Sequence, residues 1–272
     1  MKEEQMKEMD KKVADKLLNI KHKLLVMSGK GGVGKSTIAI ATAVYLNISN
    51  YKVGLLDIDI HGPSVPRILG LEGFLNVSED KEILPREILP DLYAVSIDFL
   101  LQDRNTPIIW RGPLKHTAIK QFIGDVKWGN LDFLVIDSPP GTGDEVLSIA
   151  QLIPDAKTII VTTPQEVSLG VVRKAINFCR EVKLEVLGII ENMSYLICPH
   201  CGGEIDIFGR GGGKEMAEKF KVDFLGELPM ELELTKLSDK GEALKFLLKK
   251  EKSKYQENFE RIIHNILKKL SK

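Results

Sequence analysis

The chain has no surplus of charge: 38 lysines and arginines face 38 aspartates and glutamates across 272 residues. That balance gives no electrostatic reason to expect nucleic acid as the main partner. Long apolar runs are missing too, since none approaches the ~18 residues of a membrane span. The opening stretch, Met1 to Lys23, is dense in charge and lacks the apolar centre of a signal peptide. It reads as an amphipathic helix or a partly ordered arm, and a cytoplasmic protein is expected. Cysteine is scarce, and three thiols cannot all pair within one chain, which suits a reducing compartment. There is no internal repeat and no low-complexity linker.

What is present is alternation. Strand-like apolar runs fall at 24–27, 52–56, 92–96, 133–136, 158–162, 185–190 and 223–228. Helical spacing falls near 36–48, 113–123, 144–152, 166–182, 212–221, 231–248 and 252–270. This order predicts an α/β fold, a mostly parallel sheet with helices on both faces. The expected division is an arm over 1–22, a main domain over 23–250 and a docked C-terminal helix over 251–272. Prolines at 63, 66, 85, 90 and 107 break up the stretch from 65 to 110. In the tail, Tyr255, Phe259, Ile262, Ile263, Ile266, Leu267 and Leu270 recur at helical spacing between lysines. That pattern fits a helix packed on the body, with a membrane-surface helix as the alternative.

The first run leads into Gly29-Lys30-Gly31-Gly32-Val33-Gly34-Lys35-Ser36-Thr37, which matches G-x-x-x-x-G-K-[ST]. Strand, glycine loop and helix follow one another, the context in which this phosphate-binding motif works. Glycines let backbone N–H groups approach phosphate oxygens, and the helix start adds its positive dipole end. Lys35 is expected on the β- and γ-phosphates of ATP and Ser36 on Mg²⁺.

Two carboxylate clusters follow at strand ends, where ligands of open α/β sheets sit. Asp57 and Asp59 alternate at the end of the second run, so both would face the triphosphate if the strand continues; two solvated acids are the alternative. Phe133-Leu134-Val135-Ile136 runs into Asp137, a carboxylate for the Mg²⁺ shell, and then into Pro139-Pro140-Gly141-Thr142-Gly143. Such a loop can hold one shape and shift when a γ-phosphate leaves.

Cys198-Pro199-His200-Cys201 admits several chemistries. A thiol–disulfide centre wants its first cysteine at a helix start, which the following Gly202-Gly203 opposes. A zinc knuckle needs four ligands and this pair gives two. Two copies pooling four thiolates could hold a 4Fe–4S cluster or a tetrahedral zinc. An incidental loop pair is the remaining reading. Cys179 reads as a small core residue.

These motifs, in this order, resemble the deviant Walker A ATPases, which include MinD, ParA, the nitrogenase iron protein and the Mrp/ApbC carriers. The mark of the group is Lys30, whose counterpart reaches across a dimer to the partner's nucleotide. The resemblance implies a homodimer with Lys30, Lys35 and Asp59 catalytic, Asp59 orienting the attacking water. Ser36, Asp57 and Asp137 would surround Mg²⁺, and Asn192 would contact adenine. It implies a conformational or dimer-contact role for Arg111. The Mrp/ApbC group is similar in its Trp110-Arg111-Gly112-Pro113 segment. It also shares the Cys pair after Glu191-Asn192-Met193 and the glycine-rich stretch after Phe208. Membership there implies a 4Fe–4S cluster on Cys198 and Cys201, shared across the dimer and passed to apo iron–sulfur proteins. A MinD/ParA-type positioning switch is the alternative. The chain lacks the N-terminal cysteine cluster and the separate N-terminal domain of some relatives, which leaves scaffold against carrier open.

Overall fold

The structure, a computed structural model, describes residues 2–60, 62–100 and 112–271. The helices are α1 (Lys2–Leu18), α2 (Lys35–Ile48), α3 (Val65–Leu69), α4 (Gly112–Asp125), α5 (Asp144–Leu152), α6 (Glu166–Glu181), α7 (Gly212–Phe220), α8 (Leu232–Asp239), α9 (Ala243–Leu247) and α10 (Lys254–Leu270). The strands are β1 (Ile20–Ser28), β2 (Val53–Asp57), β3 (Arg86–Leu89), β4 (Leu92–Ser96), β5 (Leu131–Asp137), β6 (Lys157–Thr162), β7 (Glu185–Glu191), β8 (Leu196–Ile197), β9 (Glu204–Ile205) and β10 (Phe224–Glu227).

Eight strands form one sheet in the order β10-β7-β6-β1-β5-β2-β4-β3, parallel except for β3. Each central strand sends alternate residues to opposite faces, as the pleat requires. Leu24, Val26, Phe133 and Val135 go to one core, Leu25, Met27, Leu134 and Ile136 to the other. The first core is closed by α2, α3, α8, α9 and α10, the second by α1, α4, α5, α6 and α7. Both terminal helices therefore bury apolar residues in the body: Val13 and Leu17 of α1, and Phe259, Ile262 and Ile266 of α10. α2 is buried nearly all round from Ile38 to Leu46, as a helix apolar on every side must be.

The α/β expectation holds, with three differences. The helix expected over 231–248 is two helices, broken at Gly241 (φ 73°). There the chain packs backbone to backbone against Gly70, and a side chain on either glycine would strike the other residue. The proline-rich stretch still holds α3 and the edge strand β3. Finally, the cysteine segment folds as its own two-stranded hairpin of β8 and β9. His61 and Arg111 lie outside the described residues.

Candidate functional site

β1 sits at the middle of the sheet, and the glycine loop leaves from its C-terminal end. Gly32 and Gly34 hold φ near 80°, a conformation that costs L side chains. A Cβ on Gly34 would also collide with the Asn192 amide, so the loop is fastened where it turns into α2. Gly31 and Gly32 face open space, and no side chain obstructs their backbone. Val33 is buried beneath the loop. The Asn192 amide donates to the Val33 carbonyl at 2.9 Å, and the Asn192 N–H to Thr162 O at 2.7 Å. Asn192 thus ties the end of β7 to the loop.

Beside the loop lies a cavity of about 280 Å³, lined by Gly31, Gly32, Lys35, Ser36, Thr37 and Asp59. Gly32, Gly34, Thr37 and Ile68 also border a second cavity of about 380 Å³, which Asn192, Met193, Pro229 and Leu234 help to close. The first lies against Lys35 and Ser36; the second is the larger of the two and the size of a nucleoside.

Lys35 forms an ion pair with Asp137 and lies 3.2 Å from the Ser36 hydroxyl. Asp137 is fully buried, and its second oxygen has no hydrogen-bond partner among the described residues. Asp57 stands opposite it in the β2–β5 register. Burial, then the Asp137 carboxylate, pushes Asp57 up to about 8. Burial raises Asp137 as well, against the Lys35 ammonium. Two facing buried carboxylates thus share one lysine, a charge arrangement that a further cation would relieve.

Asp57 and Asp59 do not alternate along one strand as the sequence pattern suggested, because β2 ends at Asp57. Asp57 instead accepts the N–H groups of Asp59 (3.1 Å) and Val65 (3.3 Å) and the Ser96 hydroxyl (3.1 Å). It anchors the loop that carries Asp59, and Asp59 is the acid that lines the cavity. Across the cavity, Ser138 N and Oγ both donate to Val26 O, and Gly141 N donates to Ser28 O at 2.8 Å. The Pro139–Gly143 loop is thereby fastened to β1. Lys30 points elsewhere: its ammonium donates to Gln165 Oε1 at 2.9 Å, at the entry to α6.

Cys198 and Cys201 sit at the tip of the β8–β9 hairpin, half-buried and exposed respectively. Cys198 N donates to Gly203 O at 2.8 Å and Gly202 N to Cys198 O at 2.9 Å, closing a tight turn. The amides of His200 and Cys201, then the Cys201 thiol, donate to the Cys198 sulfur and hold it below the usual thiol range. No helix starts at the pair, which removes the device of a thiol–disulfide centre. No cluster of three metal-ligating side chains occurs among the described residues, so the pair offers two ligands. Cys179 is buried in α6 against Met27, and burial pushes its thiol up to about 11.

Two residues escaped the sequence reading. Glu191, fully buried at the end of β7, accepts Gly211 N (3.0 Å), Gly213 N and the Ser194 hydroxyl. The glycine-rich stretch after Phe208 delivers the two amides, and a Cβ on Gly213 would press closely on Glu191. Arg210 pairs with Glu204 of β9 and Glu227 of β10 and lies 4.3 Å from the Tyr195 ring centroid. The hairpin also joins the cavity wall, through an isolated bridge between Leu196 and Met230 and Met230 N donating to Tyr195 O. Only the short spacing from Asn192 to Cys198 hinted at this junction.

A family model described as ParA, NUBPL iron-transfer P-loop NTPase, matches residues 19–267. The iron-sulfur cluster carrier protein of Saccharolobus solfataricus is 48% identical over 266 residues, covering 97% of this chain and 89% of the relative. Among solved structures, the nucleotide-binding protein of Archaeoglobus fulgidus in complex with ADP aligns with TM-score 0.77 and 39% identity, over 91% of this chain and 98% of that one. The cell division ATPase MinD of Pyrococcus furiosus aligns with TM-score 0.63 over 91% and 98% of the two chains, but at 20% identity that likeness is one of fold alone. The positioning-switch alternative loses its ground on this contrast. The apolar face of α10, its proposed membrane element, is also buried. No described helix is long and apolar enough to cross a membrane. The family match over most of the chain and the 48% identity to a relative covered almost whole show that the chain belongs to the NUBPL iron-transfer P-loop NTPase family.

Proposed function

We propose that this chain is an ATP-dependent iron–sulfur cluster carrier. It binds Mg·ATP, hydrolyses it slowly, and passes a 4Fe–4S cluster to apo-proteins. The observation that carries the reading is the exposed two-thiol hairpin bridged directly onto the wall of a P-loop cavity. Two thiols make half a ligand set, and a second copy of the chain supplies the other half. The cluster is cargo, released when an acceptor's thiolates replace Cys198 and Cys201 one by one.

The residues fit the nucleotide. The open backbone of Gly31 and Gly32, with Gly29, Val33, Gly34 and Thr37, would cradle phosphates. Ser36 and the unpaired oxygen of Asp137 would face Mg²⁺, with Asp57 behind them. Lys35 would exchange Asp137 for the β- and γ-phosphates, and the metal would take over the charge of Asp137. Mg²⁺ held by these residues would supply charge neutralisation for the triphosphate. Asp59 would position water, and Asn192 would border the adenine. Lys30, held on Gln165 outside its own cavity, would reach the partner's nucleotide. α1 and α10 would act as parts of this one ATPase body.

Anaerobic reconstitution with iron and sulfide, followed by absorption spectroscopy and iron counting, tests the reading. The wild-type protein should carry roughly two irons per chain as a dimer. A Cys198→Ala, Cys201→Ala protein should carry none and still bind ATP. Full iron retention by that double variant would overturn the proposal.

A further inference from the structure

The cysteine hairpin is tied to the body on both of its strands, and the two ties differ in kind. On the β8 side, Leu196 bridges to Met230, and Met230 N donates to the Tyr195 carbonyl. Those contacts are made by backbone atoms. Both residues of β9 are exposed, and its tie is a side chain. Glu204 pairs with Arg210 at 2.5 Å, and Arg210 pairs in turn with Glu227 of the edge strand β10 at 2.6 Å.

Arg210 is held in place from every side. Gly209 and Gly211 flank it with φ of 82° and 85°, so the chain turns sharply through it. Gly211 N is fixed on the buried Glu191 at 3.0 Å. The guanidinium lies 4.3 Å from the centroid of the Tyr195 ring. That ring is buried, and its hydroxyl accepts the Asn258 amide of α10 at 3.1 Å. An isolated surface ion pair contributes little. Here one planar fork joins two carboxylates over a fixed ring, the geometry in which an arginine gives direction as well as charge.

The charges sharpen the role. Glu204 and Glu227 are drawn to the same guanidinium, and Glu227 also lies 3.1 Å from the Ser194 hydroxyl, which donates to Glu191. Without the guanidinium, Glu204 and Glu227 would repel, and β9 would be pushed away from the sheet edge.

We infer that Arg210 is a positioning residue for the cysteine pair, setting the hairpin against the sheet edge so that Cys198 and Cys201 meet their metal in one orientation. It acts through Glu204, three residues after Cys201. This rests on the carrier reading above.

Two measurements on the full chain test it. After anaerobic loading, Arg210→Ala should lose iron to a chelator about tenfold faster than wild type, the scale for groups that orient metal ligands. Adding Glu204→Gln removes the repulsion, so the double variant should lose iron more slowly than Arg210→Ala alone. Added salt should likewise slow the loss from Arg210→Ala. In metal-free protein, amide hydrogen exchange across residues 196–205 should follow the same order, fastest in Arg210→Ala and slowest in wild type. A contact that merely stabilised the fold would leave the double variant no better than the single one. That outcome, or equal exchange in Arg210→Ala and wild type, would overturn the assignment. Wild-type protein that takes up no iron would overturn the carrier reading instead, and the exchange measurement would still decide for Arg210. Should Arg210→Ala not fold, Arg210→Gln carries the same comparison.

Discussion

The segment from Pro229 to Glu231 lines the nucleoside-sized cavity on one side and a second cavity beside Ile197 and Pro199 on the other. The two regions that meet at this wall are built in opposite ways. The phosphate loop hangs from the central strand, with Lys35 and Asp137 buried beside it. The cysteine hairpin has strands of two residues each and exposed flanks, including Ile205 at 45% and Ile207 at 42% exposure. It offers two thiols, half the ligand set of the proposed cluster. Nucleotide chemistry requires preorganised dipoles in a dry site. Cargo transfer requires thiols that another protein can reach. Each region has the burial its task demands.

The sharpest way to separate the two is to disable one and count the other. Lys35→Gln removes the cation from the phosphates and leaves an amide able to donate to Asp137, so the buried acid keeps a partner. We expect ATP hydrolysis to fall on the order of 10³-fold. Iron loading should stay at the wild-type level, measured on the same preparation. A parallel loss of iron would show that the hairpin depends on an intact phosphate site and would collapse the comparison.

Lys30 tests whether even the phosphate site is complete in one chain. Since it sits on Gln165, Lys30→Ala should leave ATP affinity within about threefold and lower hydrolysis about 10²-fold, because the loss falls on the transition state. Mixing it with Lys35→Gln protein should restore part of the activity. In the mixed dimer one site has its own Lys35 and receives Lys30 from the other chain. Phosphate release from the mixture checks this, and no recovery would place Lys30 within its own subunit.

Glu191 is where the regions are coupled. Its buried carboxylate binds Ser194, which follows the cavity-lining Met193, and the start of α7, which follows the hairpin. Glu191→Gln keeps the size but loses the charge facing a helix N-terminus and one acceptor. The expected destabilisation is about 1–3 kcal/mol by urea titration. ATP affinity and iron load should fall together, unlike in the lysine variants.

Legibility in the sequence follows the same division. The phosphate loop could be read because its chemistry is local: Gly32, Gly34, Lys35 and Ser36 act within a few residues of one another. The Asp137 strand could be read because an apolar run ending in an acid fixes its own direction. Asp57 was misjudged in orientation because strand parity holds only while the strand lasts, and β2 stops there to let the acid cap its own loop. Gly241 was passed over inside a helical pattern, since its reason is contact with Gly70, distant in sequence. Arg210 gave no signal, because its partners Glu204 and Glu227 come from two different strands.

The smallest effect expected is a difference between thiols. Cys198 receives amides from His200 and Cys201, then the Cys201 thiol, all favouring its thiolate, and it stays at the surface. Cys179 is held up at about 11 by burial. The reactive species is the thiolate. With metal removed, alkylation of Cys198 should therefore rise with pH and level off below the ordinary thiol value of 9, ahead of a model peptide thiol. Cys179 should stay unmodified while the protein is folded. Peptide mapping after timed iodoacetamide pulses across a pH series reads both at once. A Cys198 profile no different from the model thiol would mean that the turn does not prepare the sulfur for metal. The hairpin would then be a passive carrier of two side chains, and the preorganisation attributed to it would belong to the second copy of the chain alone.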